Sequence, residues 1–432
     1  MKKVAFKTLG CRLNQLETDA IVTDFTKAGY EIVPFYSSAD VYVINTCTVT
    51  NQSDQKSKNT INQAIRHVDT KGAVVVTGCM VTSQKEYLQQ RDEITFVVEN
   101  GKKHAVLPLV DSYLKGTHLN VEDYKPDIFK FPVVEKGFHT RSAIKIHDGC
   151  NNHCTFCIVP KVRGRAKSRS WDDIKENIEK VLELGYKEIV LTGVNISRYH
   201  HDNIRFEDLV EKILSIEGDF RVRISSMEPE GFTDKFIDLF ENPKLCQHLH
   251  LCLQSGSDTV LKRMRRFYTV GDYTMLINTF RRKYPYFNFT TDVIVGFPGE
   301  TEKEFQETVN LARELQFSHI HTFKYSLRKG TIAETLPNHL EDNIKNDRSE
   351  IIRELAEENK LKFYSRFIGK TQKVLLEQHK KDPIQYHGYG EHYLPVFINS
   401  DNLETNQFTN VKISGIDFTE KQSLIGEIIS DF

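Results

Sequence analysis

The sequence predicts an α/β protein in three parts: a doubly wound parallel α/β domain, a partial (β/α)6 barrel and a small β-barrel. Three observations carry that prediction. Short, continuously apolar strand candidates alternate with helical stretches through about residue 367. A join at 124–138, with Pro126 and Pro132, splits the alternation in two. Beyond residue 368 the pattern changes to short strands separated by polar or Gly-containing turns. The expected parts are residues 1–124, 138–367 and 368–432.

In the first part VAFKTL precedes a helical stretch, NQLETDAIVTDFTKAGY, with Gly29 at its stop. VYVINT precedes a polar segment rich in Ser, Asp and Lys. AVVVTG precedes a further helical stretch, and ITFVVEN follows. Three cysteines stand just past strands: Cys11 in TLGCRLNQLE, Cys47 in NTCTVTN and Cys79 in VTGCM. The carboxyl ends of parallel strands share one edge, where ligands gather, so these three thiols can converge in space. The alternative is three separate small core residues, since buried cysteines are common.

The second part opens on SAIKIHD and the loop GCNNHCTFCIVP, in which Cys150, Cys154 and Cys157 have the spacing C-x3-C-x2-C. Three thiolates so close suit an iron–sulfur cluster held by three corners, with one iron left open. A zinc site is the alternative, with His153 or His147 as the fourth ligand. Gly149, Asn151 and Asn152 suit a tight loop. Strand candidates EIVLTG, RVRISS, HLHLCLQ, NFTTDVIVG and HIHTFKYS then alternate with helices such as WDDIKENIEKVLELG. Six βα units are too few for a closed eight-stranded barrel and leave one side open. The basic runs at 161–169 and 262–266 read either as phosphate or carboxylate binders or as solvated surface. Cys246 and Cys252 read as structural, Cys252 within an apolar strand.

The third part offers KTQKVLLEQ, LPVFINS and NVKISGI as strands. Its YHGYGEHYLPVFI segment interleaves tyrosines with glycines. Such tyrosines either stack on unpaired bases or pack at a barrel end.

Composition sets the outer bounds. A chain of 432 residues suffices for two or three domains. A net charge of −1 gives no global field for nucleic acid, so an RNA surface must be a local patch. MKKVAFKTLG lacks the apolar core of a secretory signal, and no apolar run approaches membrane-spanning length. Eight cysteines in such a chain point to a reducing, cytoplasmic setting and to metal or catalytic use.

These segments together resemble the methylthiotransferase family of radical S-adenosylmethionine (SAM) enzymes, over essentially the whole chain. The carrying motifs are LGCRLNQLET, NTCTVTN, VTGCM, GCNNHCTFCIVP, PKVRGR, LTGVN, QSGSD and VIVGFPGET. The last part is similar to the TRAM module, which binds RNA. The resemblance implies SAM and two 4Fe–4S clusters, one on Cys150, Cys154 and Cys157, the other on Cys11, Cys47 and Cys79. It implies SAM contacts from Phe156, Gly193, Ser225 with Ser226, Glu228, Gln254 with Ser255, and Gly296. It implies tRNA as partner, an electron donor such as flavodoxin or ferredoxin, and no membrane. GCRLNQLET, NTCTVTN and the TGC triplet look most like the subgroup that methylthiolates C2 of N6-threonylcarbamoyladenosine beside the tRNA anticodon. Isopentenyladenosine in tRNA, or a ribosomal protein, is the alternative substrate. The segment GVNISRYHH departs from the glycine-rich residues common in that subgroup. A non-catalytic iron–sulfur RNA-binding protein is the reading from another class. Removal of the last part is expected to weaken tRNA binding and to spare SAM cleavage.

Overall fold

The computed structural model describes residues 1–117, 119–134, 140–378, 385–400, 403–419 and 422–429. The expected boundaries at 138 and 432 lie outside them. The first strands are β1 (Lys3–Thr8), β2 (Glu31–Val33), β3 (Ala39–Thr46), β4 (Val68–Gly78) and β5 (Phe96–Val98). All pair in parallel, in the order β2-β1-β3-β4-β5. Between and after them run helices α1 (Arg12–Lys27), α2 (Asn51–His67), α3 (Cys79–Ser83), α4 (Lys85–Gln89) and α5 (Val106–Leu114).

Both faces of this sheet are covered. Val41, Val43 and Val75 pack with Phe25 and Leu109; Tyr42, Ile44, Val74 and Val76 pack with Ile61 and Ala64. Double coverage is why these strands read as unbroken apolar runs. The polar segment after VYVINT is the whole of α2. It buries only Ser57, Ile61 and Ala64 and starts on a Thr50–Ser53 capping box. So narrow a stripe hides helical periodicity in the sequence.

The second part contains β6 (Ser142–Asp148), α6 (Val159–Arg163), β7 (Lys167–Ser168), α7 (Trp171–Glu183), β8 (Glu188–Gly193) and a small hairpin of β9 (His200–His201) and β10 (Ile204–Arg205). It continues through α8 (Phe206–Leu214), β11 (Arg221–Ile224), β12 (Ser226–Met227), α9 (Asp234–Asp238), β13 (His248–Leu251), α10 (Asp258–Arg263) and α11 (Val270–Lys283). It ends with β14 (Asn288–Val295), α12 (Glu302–Leu315), β15 (His319–Lys324) and α13 (Asp342–Ser365). Two hydrogen-bonded groups, β11-β8-β6-β7 and β12-β13-β14-β15, meet through a parallel bridge between Val222 and Leu245. Strands β6, β8, β11, β13, β14 and β15 therefore follow chain order round a partial barrel, as the six expected βα units require.

Alternation along these strands separates two faces. Leu191, Ile224, Leu249, Leu251 and Val293 join the helices in one large apolar core. The inner face carries Thr192, Arg223, His248, His250, Asp292 and His321 instead. Cys252 belongs to this inner, polar face and not to the core: its Sγ lies 3.8 Å from Asp292 Oδ2, while Leu251 and Leu253 take the core positions. An apolar run two leucines long was enough to disguise that register.

The last part is a closed barrel of β16 (Thr371–Gln378), β17 (Gln385–Tyr389), β18 (Pro395–Asn399), β19 (Phe408–Asp417) and β20 (Ser423–Ile428), in the order β16-β17-β18-β20-β19. Strands β17 and β20 are additional to the three expected. Within β17, a Cβ on Gly388 would stand 2.2 Å from the Leu375 carbonyl oxygen. A glycine that reads as a turn is here a close crossing of two strands. Among the described residues no helix is long and apolar enough to cross a membrane.

The tyrosines of this barrel pack and are not free. Tyr389 and Tyr393 stack on each other at 4.5 Å; Arg141 lies 4.4 Å over Tyr389, and Arg223 lies 3.8 Å over Tyr393. Arg221 Nη2 donates to the Tyr389 carbonyl at 2.8 Å, and Asn288 Nδ2 to the His392 carbonyl at 2.8 Å. The barrel thus closes the amino-terminal end of the strands. The join before β6 is also packed: Lys145 Nζ donates to the Ile128 carbonyl at 2.8 Å, between the rings of Phe129 and Phe131.

Candidate functional site

The loop after β6 begins at Gly149, whose φ is +71° and whose Cβ would stand 2.2 Å from the Arg165 carbonyl oxygen. Only glycine fits there. Thr155 pins the loop's centre. Its N–H donates to the Met264 carbonyl at 3.1 Å, its hydroxyl to the Arg263 carbonyl at 3.0 Å, and its own carbonyl accepts from Ala333 at 2.8 Å. Donors are aimed at the sulfurs. The Asn152 N–H is 3.4 Å and Asn195 Nδ2 3.8 Å from Cys150 Sγ; Arg266 Nη1 is 3.3 Å from Cys154 Sγ. Burial, with Cys154 and Cys150 nearby, pushes the free Cys157 thiol up to about 12.

The other three cysteines leave adjacent strands. Cys11 caps α1 after β1, Cys47 follows β3, and Cys79 opens α3 after β4. Neighbouring strands lie about 4.8 Å apart, so their ends form one edge. Two glycines with positive φ let the loops close on each other. A Cβ on Gly10 would come within 2.8 Å of Cys47 Sγ, and one on Gly78 within 2.3 Å of the Thr46 carbonyl oxygen. Asn14 Nδ2 donates to the Leu9 and Thr46 carbonyls at 2.8 and 3.0 Å, tying the first two loops. Cys79 packs with Ile158 and Val162 of α6, and Asn100 Nδ2 reaches both Cys79 Sγ, at 3.8 Å, and the Val162 carbonyl, at 3.1 Å. The helix after one cysteine set therefore rests on the helix after the other.

Buried charge locks this contact. Glu17 of α1 pairs with Lys103, with Lys145 Nζ at 2.8 Å and with Arg163 Nη1 at 3.0 Å; Asp148 pairs with the same Lys145 and Arg163 at 2.6 and 3.0 Å. Burial raises the Glu17 carboxyl, yet Arg163, Lys103 and Lys145 outweigh it and hold it well below the usual range. Three cations against two anions leave a net positive charge beside Cys79. Burial pushes the Cys79 thiol up, and Arg163 and Lys103 pull it back. A second clamp joins Arg328 Nη2 to Thr48 Oγ1 at 2.7 Å and Arg328 Nη1 to Asp54 at 2.6 Å.

The expected SAM-contact residues gather at the carboxyl ends of the partial barrel. Gly193 ends β8, and a Cβ there would stand 2.5 Å from the His147 carbonyl oxygen. Buried Ser225 and exposed Ser226 follow β11, and Glu228 follows β12, paired with Arg266. Gln254 adopts φ +69° and exchanges backbone hydrogen bonds with Asp292 and Ile294 at 2.8 and 2.9 Å. Gly296, at φ +72°, donates its N–H to Glu300 Oε2 at 2.6 Å. Phe156 lies edge-on to Phe297 at 6.5 Å. Ser255 is fully buried and faces the Thr308 hydroxyl at 3.4 Å, which makes it a packing residue.

Two family models match the chain: the Radical SAM superfamily over residues 144–312, and the Uncharacterized protein family UPF0004 over residues 3–99. Curated relatives match nearly end to end. A protein of Bacillus subtilis named threonylcarbamoyladenosine tRNA methylthiotransferase MtaB is 37% identical, covering 98% of this chain and 96% of its own length. A namesake in Thermotoga maritima is 36% identical over 91% of each. The tRNA-2-methylthio-N(6)-dimethylallyladenosine synthase of Fusobacterium nucleatum is 34% identical, covering 99% of this chain and all of its own. The chain belongs to the radical SAM methylthiotransferase family. Membership makes it a transferase with SAM and 4Fe–4S clusters as cofactors. Among solved structures, the radical SAM methyltransferase TsrM of Kitasatospora setae, with cobalamin and a 4Fe–4S cluster bound, superposes with a TM-score of 0.56. It covers 89% of this chain and 82% of its own at 14% identity, a likeness of fold.

The donor sets fit the cofactors of a methylthiotransferase better than single zinc ions. Zinc–thiolate bonds of about 2.3 Å hold tetrahedral sulfurs roughly 3.8 Å apart. Among the described residues the one group of three His, Cys, Asp or Glu donors lying within 4.8 Å of one another is His250, Cys252 and Asp292. Neither cysteine triad is that tight. A cluster takes each thiolate on a different iron and needs the wider spacing. Of the candidate fourth zinc ligands, His153 is exposed, and His147 is buried with Nδ1 accepting from the Asn195 N–H at 3.4 Å. Arg163 and Arg266, two members of the basic runs, prove to be buried clamps and not solvated surface. Glu17 and Asn195 lie within LGCRLNQLET and LTGVN, yet their contacts, like those of Asp148 and Arg328, are not legible in the sequence because the partners are remote in the chain.

Proposed function

We propose that this protein adds a methylthio group to C2 of N6-threonylcarbamoyladenosine beside the anticodon of tRNA. The observation that carries the substrate is the set of three curated relatives of that name at 36–37% identity. On this reading Cys150, Cys154 and Cys157 hold the SAM-cleaving cluster, and Cys11, Cys47 and Cys79 hold the auxiliary one. When bound, these cofactors supply the radical and sulfur chemistry that no side chain can provide. The chain's own part is placement. Arg266, Asn195 and the Asn152 N–H donate toward the loop sulfurs and favour their anionic form. Phe156, Gly193, Ser225, Glu228, Gln254 and Gly296 line the edge where SAM lies. The closed apposition of α3 and α6 keeps the two sulfur sets together and limits water. The division of labour follows residues 1–124, 138–367 and 368–432, with electrons from a donor of the flavodoxin or ferredoxin kind, in the cytoplasm and away from membranes.

Nucleoside mass spectrometry of tRNA tests this directly. Cells carrying the gene contain the 2-methylthio derivative of N6-threonylcarbamoyladenosine and lose it on deletion. Loss of the methylthio group from isopentenyladenosine instead would transfer the assignment to the activity named for the Fusobacterium relative.

A further inference from the structure

A cavity of ≈ 290 Å³ lies between α1 and the inner face of the partial barrel. Helix α1 turns Arg12, Gln15, Leu16 and Asp19 into it, spaced as one helical stripe. Strands β8 and β11 contribute Val190, Thr192 and Arg223. The cavity sits one layer below the SAM-side positions Gly193 and Ser225. It also begins at Arg12, the residue after Cys11.

Its charge is out of balance. Three arginines, Arg12, Arg141 and Arg223, line it against two carboxylates: Glu377, held by Arg141 and by His387 Nε2 at 3.1 Å, and Asp19, which accepts from the neutral Gln15 Nε2 at 2.7 Å and keeps its charge. Behind it Glu188 holds Arg221 at 2.6 Å, and across the inner face Asp292 holds His250 at 3.2 Å. Among the described residues two cations are poorly matched: Arg12 has no ion pair, and Arg223 has only a long one. Arg223 is 3% exposed, its Nε has no hydrogen-bond partner, and the nearest carboxylate oxygen, Glu188 Oε1, is 3.8 Å away. One face of its guanidinium rests on Tyr393, which orients the fork and leaves its edge toward the cavity. Arg12 is exposed and has no ion pair or hydrogen-bonding side-chain partner among the described residues. The groups that sense its field, Arg223, His248 and His321, are themselves basic. A buried guanidinium whose nearest anion stands 3.8 Å away and makes no hydrogen bond to it is costly, and a bound carboxylate relieves it with charge-assisted hydrogen bonds.

We propose that Arg12 and Arg223 bind the carboxylate of the threonylcarbamoyl arm of the target nucleoside, and so set the choice of substrate. The inference rests on the substrate reading above and adds the residues that enforce it. An arm anchored in this cavity holds the adenine ring between the SAM side and Cys11. An isopentenyl arm carries no charge and offers neither arginine an anion; exposed Arg12 stays hydrated, and the penalty falls on buried Arg223.

Oxyanions also occur on RNA phosphates and on SAM, so the test separates the three. Anticodon stem-loops are made with the free acid, with its methyl ester, and with isopentenyladenosine. For the wild-type protein, esterification lowers kcat/KM and weakens binding measured without SAM by roughly tenfold to a hundredfold, the worth of a charged hydrogen bond. Arg12→Gln lowers the free-acid values by a similar factor and leaves the ester within about twofold. Equal use of acid and ester by the wild type sinks the proposal alone. An Arg12→Gln protein that loses both substrates equally shows a phosphate contact, and one that loses RNA-free SAM cleavage shows a SAM contact; each overturns it. A wild type active only on the isopentenyl stem-loop fails on the substrate reading, and the proposal falls with it.

Discussion

A thiol serves as a cluster ligand where its anion is tolerated and its sulfur is aimed. Arg266 is aimed at the Cys154 sulfur, and at Cys79 burial disfavours the anion while Arg163 and Lys103 offset part of that cost. The two triads therefore separate by experiment. Anaerobically reconstituted protein holds about eight irons per chain, and Cys154→Ala or Cys47→Ala removes roughly half. Cys154→Ala stops release of 5′-deoxyadenosine and of methylthiolated nucleoside alike. Cys47→Ala stops only the second. Both products are quantified in one reaction, and a folded Cys47→Ala protein with wild-type methylthiolation would falsify the assignment of Cys47. At this scale the sequence was most legible: a three-residue spacing marked one set and strand ends marked the other. The arginines were legible as basic and illegible as buried, because Arg163 meets Glu17 across 146 positions. Arg266 likewise meets Cys154 across 112.

Glu17 brings together four elements: its own α1, the turn bearing Lys103, β6 with Lys145, and α6 with Arg163. Removing its charge leaves three buried cations against Asp148 alone. Breaking such a pairing costs about 3–5 kcal/mol, so Glu17→Gln lowers the melting temperature by many degrees. The pH dependence has a definite sign. The folded carboxyl lies well below its usual value, so its contribution is complete above the ordinary carboxylate range and is lost as pH falls toward the folded value. Wild type therefore loses stability between neutral and acid pH more steeply than Glu17→Gln, measured by thermal denaturation across that range. Equal slopes would mean that the Glu17 carboxyl titrates alike in the folded and unfolded chain, so that the three cations do not hold it down. Elements were legible wherever burial imposed a period. The apolar strands of the first sheet and all six strands of the partial barrel announced themselves. Helix α2, with three buried residues, and β17, with Gly388 at its strand crossing, did not, because their packing faces are too narrow or too small to leave a pattern.

In the whole molecule the three parts share side chains, and this changes what the last barrel does. Read from sequence it is a separable RNA-binding appendage. In the fold, Arg141 reaches Glu188 and Glu377, Arg221 reaches the Lys373 and Tyr389 carbonyls, and Arg223 is stacked on Tyr393. All three arginines come from the starts or inner faces of partial-barrel strands. Truncation after Arg366 removes Glu377, Tyr393 and the Lys373 and Tyr389 carbonyls, leaves Glu188 in place, and opens the floor of the cavity that Arg12 and Arg223 share. The truncated chain is therefore expected to melt well below the full one, and SAM cleavage falls with it instead of surviving. Tyr393→Ala in the full chain isolates the cause. A desolvated cation–π contact is worth about 2 kcal/mol, so calorimetry records a lower melting temperature for the partial barrel as well as for the small one. Two independent transitions, with only the small barrel's moved, would show that the parts fold separately and that the stacked arginines are bystanders.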